Sequence, residues 1–396
     1  MSISDQIRES LNHSSLVRKM FEEGDRLRRI YGPDKVYDFS LGNPDLEPPE
    51  SFQQGLRELA NHPIPGMHKY MSNAGYEGTR TAIAAYQNKR TGLTLNANHV
   101  VMTSGAGGAL NVIFKSLLNP GDEVIVSAPY FMEYGFYTDN HRGKLVVVKT
   151  QPDFQLDPEA IRGAVNSKTK AILINSPNNP TGVVYSEETL TALAAVIREK
   201  EKELGKVIYL ISDEPYAGLV YDGVEAPPIL KIFEHGIVAT SHSKDLAIPG
   251  ERIGYVAINP QIPEADLFFN ALVFANRILG FVNAPALMQR LVADLQGQVA
   301  GLDLYRERRD ILYNHLTGIG FEVIKPQGAF YLFPKSPIPD DGAFSQAAQK
   351  HNILIVPGKG FCQPGYFRIA YCVSKEIIQN SLPAFTALAK EFNLNK

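Results

Sequence analysis

The chain alternates between short apolar runs and longer stretches whose apolar positions recur at helical spacing. Runs at 36–41, 100–103, 123–126, 171–174, 207–211, 237–240 and 253–258 have the length of buried strands, and each is closed by a turn or a polar cluster. Between them the periodicity predicts helices over 10–31 (Leu16, Met20, Leu27 and Ile30, closing near Gly32-Pro33), 49–61, 79–89, 109–118 and from Glu187 onward. Five of the runs stop at Gly105, Pro129, Asn175, Asp213 and Ser241. The helices between them predict parallel strands, and open α/β sheets bind ligands at the carboxyl ends of their strands. Beyond Tyr255 the rhythm changes. Long helical stretches over 264–279 and 285–316 are predicted, the second running between domains, followed by strands at 321–324, 328–333, 353–356 and 367–372 and a helix over 343–351. This part reads as a second, smaller α/β domain packed with the N-terminal helix.

A length of 396 residues is enough for more than one domain, and an apolar fraction of 44% is ordinary for a globular protein. The net charge of −3, with both signs mixed, offers no basic footprint for nucleic acid and no polybasic membrane patch. The opening Met1-Ser2-Ile3-Ser4-Asp5-Gln6 lacks the apolar core of a secretory signal, and no apolar run approaches the length of a membrane span. Cys362 and Cys372 are the only cysteines, too few for a disulfide framework or a cysteine-rich metal site. The expectation is a cytoplasmic protein with reduced thiols and no metal.

The chemistry gathers where the run 237–240 ends, in Ser241-His242-Ser243-Lys244-Asp245 with Arg252 eight residues past the lysine. Alone, Lys244 reads as a surface lysine. At the end of a buried strand it is something else, because burial disfavours the ammonium form and makes the amine a better nucleophile toward a carbonyl. Two hydroxyls and a guanidinium suit a dianionic phosphate. Together they suggest an aldehyde cofactor with a phosphate tail, held covalently: pyridoxal 5′-phosphate. Three other segments fit. Gly105-Ala106-Gly107-Gly108 between a strand and a helix aims backbone N–H groups at a phosphate. A dinucleotide fingerprint would need a third glycine where Leu110 stands. Asp213, directly after an apolar run, is costly unless paired, and a protonated pyridine nitrogen is such a partner; a helix N-cap is the plainer alternative. Arg368 shares a strand face with Ala370 and Cys372, which leaves its planar fork room to bind a carboxylate.

The Ser-x-Ser-Lys segment with its downstream Gly-x-Arg-x-Gly, the Asn179-Pro180-Thr181-Gly182 loop and the Phe367-Arg368-Ile369 segment resemble the class I/II aminotransferases of fold type I. The resemblance covers 37–372. It implies a mostly parallel seven-stranded sheet between helices in a large domain over 46–284. A smaller α/β domain is then formed by 1–45 together with 285–396. It also implies roles. Lys244 carries the cofactor and moves the substrate proton, and Asp213 faces the ring nitrogen. Asn179 and Tyr216 reach the phenolic oxygen, while Phe131 stacks on the ring, a contact worth about 1 kcal/mol beyond burial. Ser241, Ser243, Arg252 and the amides of Ala106 and Gly107 hold the phosphate, joined by Tyr70 of the partner subunit in a homodimer. Gly42 lies beside the substrate and Arg368 binds its α-carboxylate. One departure stands out. Relatives place a hydroxyl or a lysine where this chain has Gly107, and in one bacterial subgroup that lysine also senses a distal carboxylate, a route closed here.

The implied function is a transaminase moving the amino group of an L-amino acid to a 2-oxo acid, aspartate-type first, with alanine and aromatic donors open. Arg277 and Arg290 are candidates for a distal carboxylate by residue type only. A C–S lyase acting by β-elimination uses the same cofactor set and stays open. A ligand-sensing module fused to a DNA-binding domain lacks its N-terminal domain here, and a nicotinamide oxidoreductase is disfavoured by Leu110.

Overall fold

In the computed structural model, which describes residues 3–12, 16–32 and 35–394, the apolar runs assemble into one large sheet and two small ones. The first strand, β1 (Tyr37–Asp38), belongs to the smaller unit. The large sheet holds β2 (Val100–Thr103), β3 (Glu123–Ala128), β4 (Lys144–Lys149), β5 (Thr169–Asn175), β6 (Tyr209–Asp213), β7 (Gly236–Ser241) and β8 (Gly254–Ile258) in the order β2-β8-β7-β6-β5-β3-β4. All neighbours are parallel except those made by β8, which runs against both β2 and β7. The reversal follows from the connection: β7 turns back into β8 through a 3₁₀ turn at Pro249–Glu251. A parallel return would need a crossover, usually a helix. The expected mostly parallel seven-stranded sheet is present, and its strand ends at Gly105, Pro129, Asn175, Asp213 and Ser241 lie along one edge. β4, built on the run Leu145-Val146-Val147-Val148, is not among the expected strands; it is an edge strand whose end lysines are exposed.

Side chains along these strands alternate between two cores. Val101, Val124, Leu173, Ile211 and Ala239 pack on one face, and Met102, Ile125, Ile172, Leu210 and Val238 on the other. Both faces are covered, which is why the inner strands read as continuous apolar runs.

The smaller unit adds β9 (Tyr331–Leu332), β10 (Ile353–Leu354), β11 (Val356–Pro357) and β12 (Phe367–Ala370). β1 pairs parallel with β10, while β11, β12 and β9 form an antiparallel sheet. Its core joins Leu312, Leu316, Phe330, Phe344 and Phe367 to Tyr216 and Leu219 from the loop after β6. That loop therefore ties the large sheet to the smaller unit next to Asp213.

Three expectations change. The helix over 10–31 is seen as Asp5–Asn12 and Leu16–Tyr31; residues 13–15, Pro33 and the side chains of Leu16 and Met20 lie outside the described ones. The stretch 285–316 is not one helix but two, Ala286–Val292 and Leu302–Gly318. Gly297 and Gly301 break it with left-handed φ values of 83° and 62°, and the Ala300 N–H leaves helical bonding to donate to the Asp245 carbonyl at 2.6 Å. The first of these helices puts Met288, Leu291 and Val292 under the large sheet. The run 321–324 forms no strand: Phe321 instead packs against Phe344 and Phe367 at ring distances of 6.1 and 5.7 Å. The final helix, Lys375–Glu391, was not predicted and carries Pro383 within it. No described helix is long and apolar enough to cross a membrane.

Candidate active site

The carboxyl ends of β5, β6 and β7 and the N-terminus of the helix Gly105–Leu117 open onto a cavity of about 340 Å³. Gly42, Ala106, Gly107, Phe131, Asn179, Asp213, Tyr216, Ser241, Ser243, Lys244, Arg252 and Arg368 all line it. Of the residues expected at the site, only Tyr70 does not; it is 88% exposed and away from this chain's cavity.

Lys244 follows β7 and lines the cavity, half-buried. Burial lowers its pKa to about 8; Cys372 opposes this, while Arg252 and Arg368 add to it. Its Nζ donates to the Gly42 carbonyl at 2.7 Å. Gly42 has to be a glycine: a Cβ there would stand 2.1 Å from the Tyr331 hydroxyl. The Gly42 segment is itself fixed by Asp45, which takes two bonds from Arg308 at 2.6 and 3.0 Å.

Asp213 ends β6 and is buried. Tyr134 donates to its Oδ2 at 2.6 Å, while Oδ1 is buried with no partner among the described residues. Burial raises the Asp213 pKa to about 7, with Tyr134 opposing and the neighbouring Glu214 adding to the rise. An unsatisfied carboxylate oxygen on a cavity wall is expensive, and it fits a cationic N–H partner.

The turn between β2 and its helix is built for an anion. Gly105 takes a left-handed φ of 72°, and a Cβ on it would lie 2.6 Å from Nη2 of Arg252, so the guanidinium rests against the bare turn. Ser241 and Ser243 join across 3.1 Å on the same side. At Gly107 a Cβ would come within 3.0 Å of the Tyr137 hydroxyl, and the turn there offers backbone only.

Arg368 is carried in from the smaller unit on β12. Its Nη1 donates to Asn179 Oδ1 at 2.9 Å and its Nη2 to the Ser40 carbonyl at 2.6 Å, while Nε is buried without a partner. The rings of Tyr331 and Phe361 lie 4.6 and 4.8 Å from the guanidinium carbon. Asn179 is held by Asn175, which accepts from the Asn179 N–H at 2.7 Å and donates to the Asp213 carbonyl at 2.8 Å. The Tyr216 and Tyr331 hydroxyls share a bond of 2.8 Å.

Sequence reading assigned no role to Ser40, Glu133, Tyr134, Asn175 or Tyr331. Tyr134 and Glu133 carried a signal, standing within three residues of Phe131, and Asn175 closes one of the five runs; Ser40 and Tyr331 are recruited by the tertiary fold. Arg277 and Arg290 lie outside the cavity, stacked on Phe274 at 5.1 Å and Tyr76 at 4.1 Å.

Comparisons with known proteins identify the family of the chain. A family model described as aminotransferase class I and II matches residues 34–385. A probable aspartate/prephenate aminotransferase of Thermus aquaticus is 36% identical, covering 87% of this chain and 89% of its own length. An aspartate/prephenate aminotransferase of Thermus thermophilus is 33% identical over 90% of this chain and 91% of its own. Among solved structures, an amino transferase from Eubacterium rectale superposes with a TM-score of 0.96 at 39% identity, over 99% of this chain and 100% of that one. The aspartate aminotransferase of Thermus thermophilus with maleate gives a TM-score of 0.86 at 29% identity, over 98% and 100%. The chain belongs to the class I and II aminotransferase family.

Proposed function

We propose that this member of the class I and II aminotransferases is a cytoplasmic, pyridoxal 5′-phosphate-dependent transaminase of the aspartate aminotransferase type, moving the amino group of an L-amino acid to a 2-oxo acid. The carrying observation is the orphaned Oδ1 of Asp213 on the wall shared by Lys244 and Arg368. A pyridinium N–H would supply the partner that oxygen lacks, and a cation there would draw the Asp213 pKa back down so that it stays ionised.

The remaining residues fit the same group. Ser241, Ser243, Arg252 and the amides of Ala106 and Gly107 would hold its phosphate, Phe131 its ring face, and Asn179 and Tyr216 its phenolic oxygen. Tyr70, exposed here, would complete the phosphate site from the partner subunit of a homodimer. When bound, the cofactor supplies an aldehyde that takes up amines covalently and a cationic ring that draws electrons from the substrate's α-carbon.

The protein supplies the rest. Arg368, pinned by Asn179 and Ser40, binds the α-carboxylate and fixes which bond of the α-carbon faces Lys244. The Lys244 amine, with its pKa near 8, is partly neutral at working pH and takes the α-proton at Nζ. The Gly42 carbonyl holds that amine in line beforehand. The division we propose is a large unit over 46–284 and a small unit of 1–45 with 285–396, so that Arg368 and Lys244 come from different units.

The relatives' names make aspartate the donor to try first, before alanine and aromatic amino acids. The test follows the absorbance of the cofactor-loaded protein while single amino acids are added without an oxo-acid acceptor. Transamination predicts conversion of the bound cofactor to its amine form with one equivalent of 2-oxo acid released per site. A spectrum that persists while pyruvate and ammonia accumulate would make the protein a β-eliminating lyase instead.

A further inference from the structure

One charge on the cavity wall has no task in that reading. Glu133 opens the short helix Glu133–Asp139, two residues past Phe131, and lines the cavity together with Tyr137 and Arg368. Burial raises its pKa, while a hydrogen bond from its own backbone N–H and, less, the charge of Arg368 pull it back, and Tyr137 feels the Glu133 carboxylate in turn. Neither the ion pair of Arg90 with Glu214 nor that of Arg308 with Asp45 involves it. The cations of the wall are Lys244, Arg252 and Arg368. Each already has a task, so this chain's own wall leaves no cation for a second carboxylate.

We infer that Glu133 reads the distal group of the amino donor, favouring side chains that end in a hydrogen-bond donor (amide, hydroxyl or ammonium) over those that end in a carboxylate. The inference rests on the transaminase reading of the site. A substrate held by its α-carboxylate at Arg368 extends its side chain along the wall Glu133 shares. A distal carboxylate there meets a like charge in a cavity of low dielectric, whereas an amide or ammonium meets an acceptor. At Gly107, where a longer side chain could bring in a compensating cation, the chain has only backbone, closed off by Tyr137. Aspartate remains a donor in this account, ranked below an amide of the same length.

The test measures dissociation constants of succinate and succinamate for the cofactor-loaded protein by calorimetry. The two ligands share one carboxylate and differ in the other end. Succinamate should bind about tenfold more tightly, the size of one close like-charge contact in a partly screened site. In Glu133→Gln succinate should gain about tenfold while succinamate moves less than threefold. A wild-type protein that binds succinate as tightly or more tightly overturns the inference. So does a variant in which both ligands weaken alike, since Glu133 would then only steady Arg368. Should the variant fail to fold, the wild-type binding ratio and the kcat/KM of asparagine against aspartate decide. No amino transfer from any L-amino acid would sink the transaminase reading and this inference together; transfer favouring distal carboxylates would sink the inference alone.

Discussion

The hydroxyl of Tyr134 donates to Oδ2 of Asp213 at 2.6 Å, and the other oxygen of that carboxylate is buried on the cavity wall with no partner. One oxygen orients the group and the other is free for a ligand. A hydrogen bond to the anion favours the charged form, so Tyr134 works against the burial that raises the Asp213 pKa.

Removing that bond in Tyr134→Phe should raise the Asp213 pKa further. Bonds to charged groups are worth about 1.5–3 kcal/mol, so the acid limb of the kcat/KM profile should move up by about one pH unit and kcat fall roughly tenfold. An unmoved acid limb would reduce Tyr134 to packing.

Asp213 should also cost the cofactor-free protein stability. Its folded pKa, about 7, lies above the ordinary 3.8, so the folded state binds the proton more tightly than the unfolded chain. The burden is therefore fully present above pH 7 and absent below pH 3.8. Cofactor-free Asp213→Asn should be more stable than wild type at pH 8 by on the order of 2–4 kcal/mol, and the gap should close toward pH 4. Urea unfolding at the two pH values measures this; an equal gap at both would contradict it.

Arg368→Lys keeps the charge and loses the fork. The arginine is set by Asn179 and Ser40, and a lysine cannot make both bonds and a bidentate carboxylate contact. KM for any amino donor should rise roughly 30–100-fold, about 2–3 kcal/mol, with a smaller fall in kcat. Steady-state kinetics with two donors of different side chain should show the same factor for both.

At Gly42 a single methyl collides with the Tyr331 hydroxyl at 2.1 Å. Gly42→Ala must displace either Tyr331 or the carbonyl that holds Lys244, so it should lose about 1–3 kcal/mol of stability. The amine should also lose its alignment, with kcat down at least tenfold. The double variant Gly42→Ala with Tyr331→Phe should recover part of the stability, because the atom struck has been removed.

Much of this site was legible before folding because each key residue closes a buried run. Asp213 and Lys244 are polar groups at positions where apolar strands end, and such breaks are rare enough to read. Arg368 was legible from the small residues that share its face. The partners of these residues were not: Ser40 and Asn175 meet them only through the fold, and Tyr331 reaches Tyr216 from 115 positions away. β4 went unread although Leu145-Val146-Val147-Val148 is an apolar run; no turn-and-polar cluster of the site closes it, and its flanking lysines are exposed at the sheet edge. The helix expected over 285–316 failed because Gly297 and Gly301 adopt left-handed conformations that apolar periodicity does not register.

The central claim is that Lys244 carries the cofactor through its amine. Borohydride reduction of the pyridoxal 5′-phosphate-loaded protein fixes such a link, and peptide mass analysis then locates it. One reduced adduct per chain is expected, on the peptide containing Lys244 and lost in Lys244→Ala. An adduct on another lysine, or none in a protein that binds the cofactor, would contradict it.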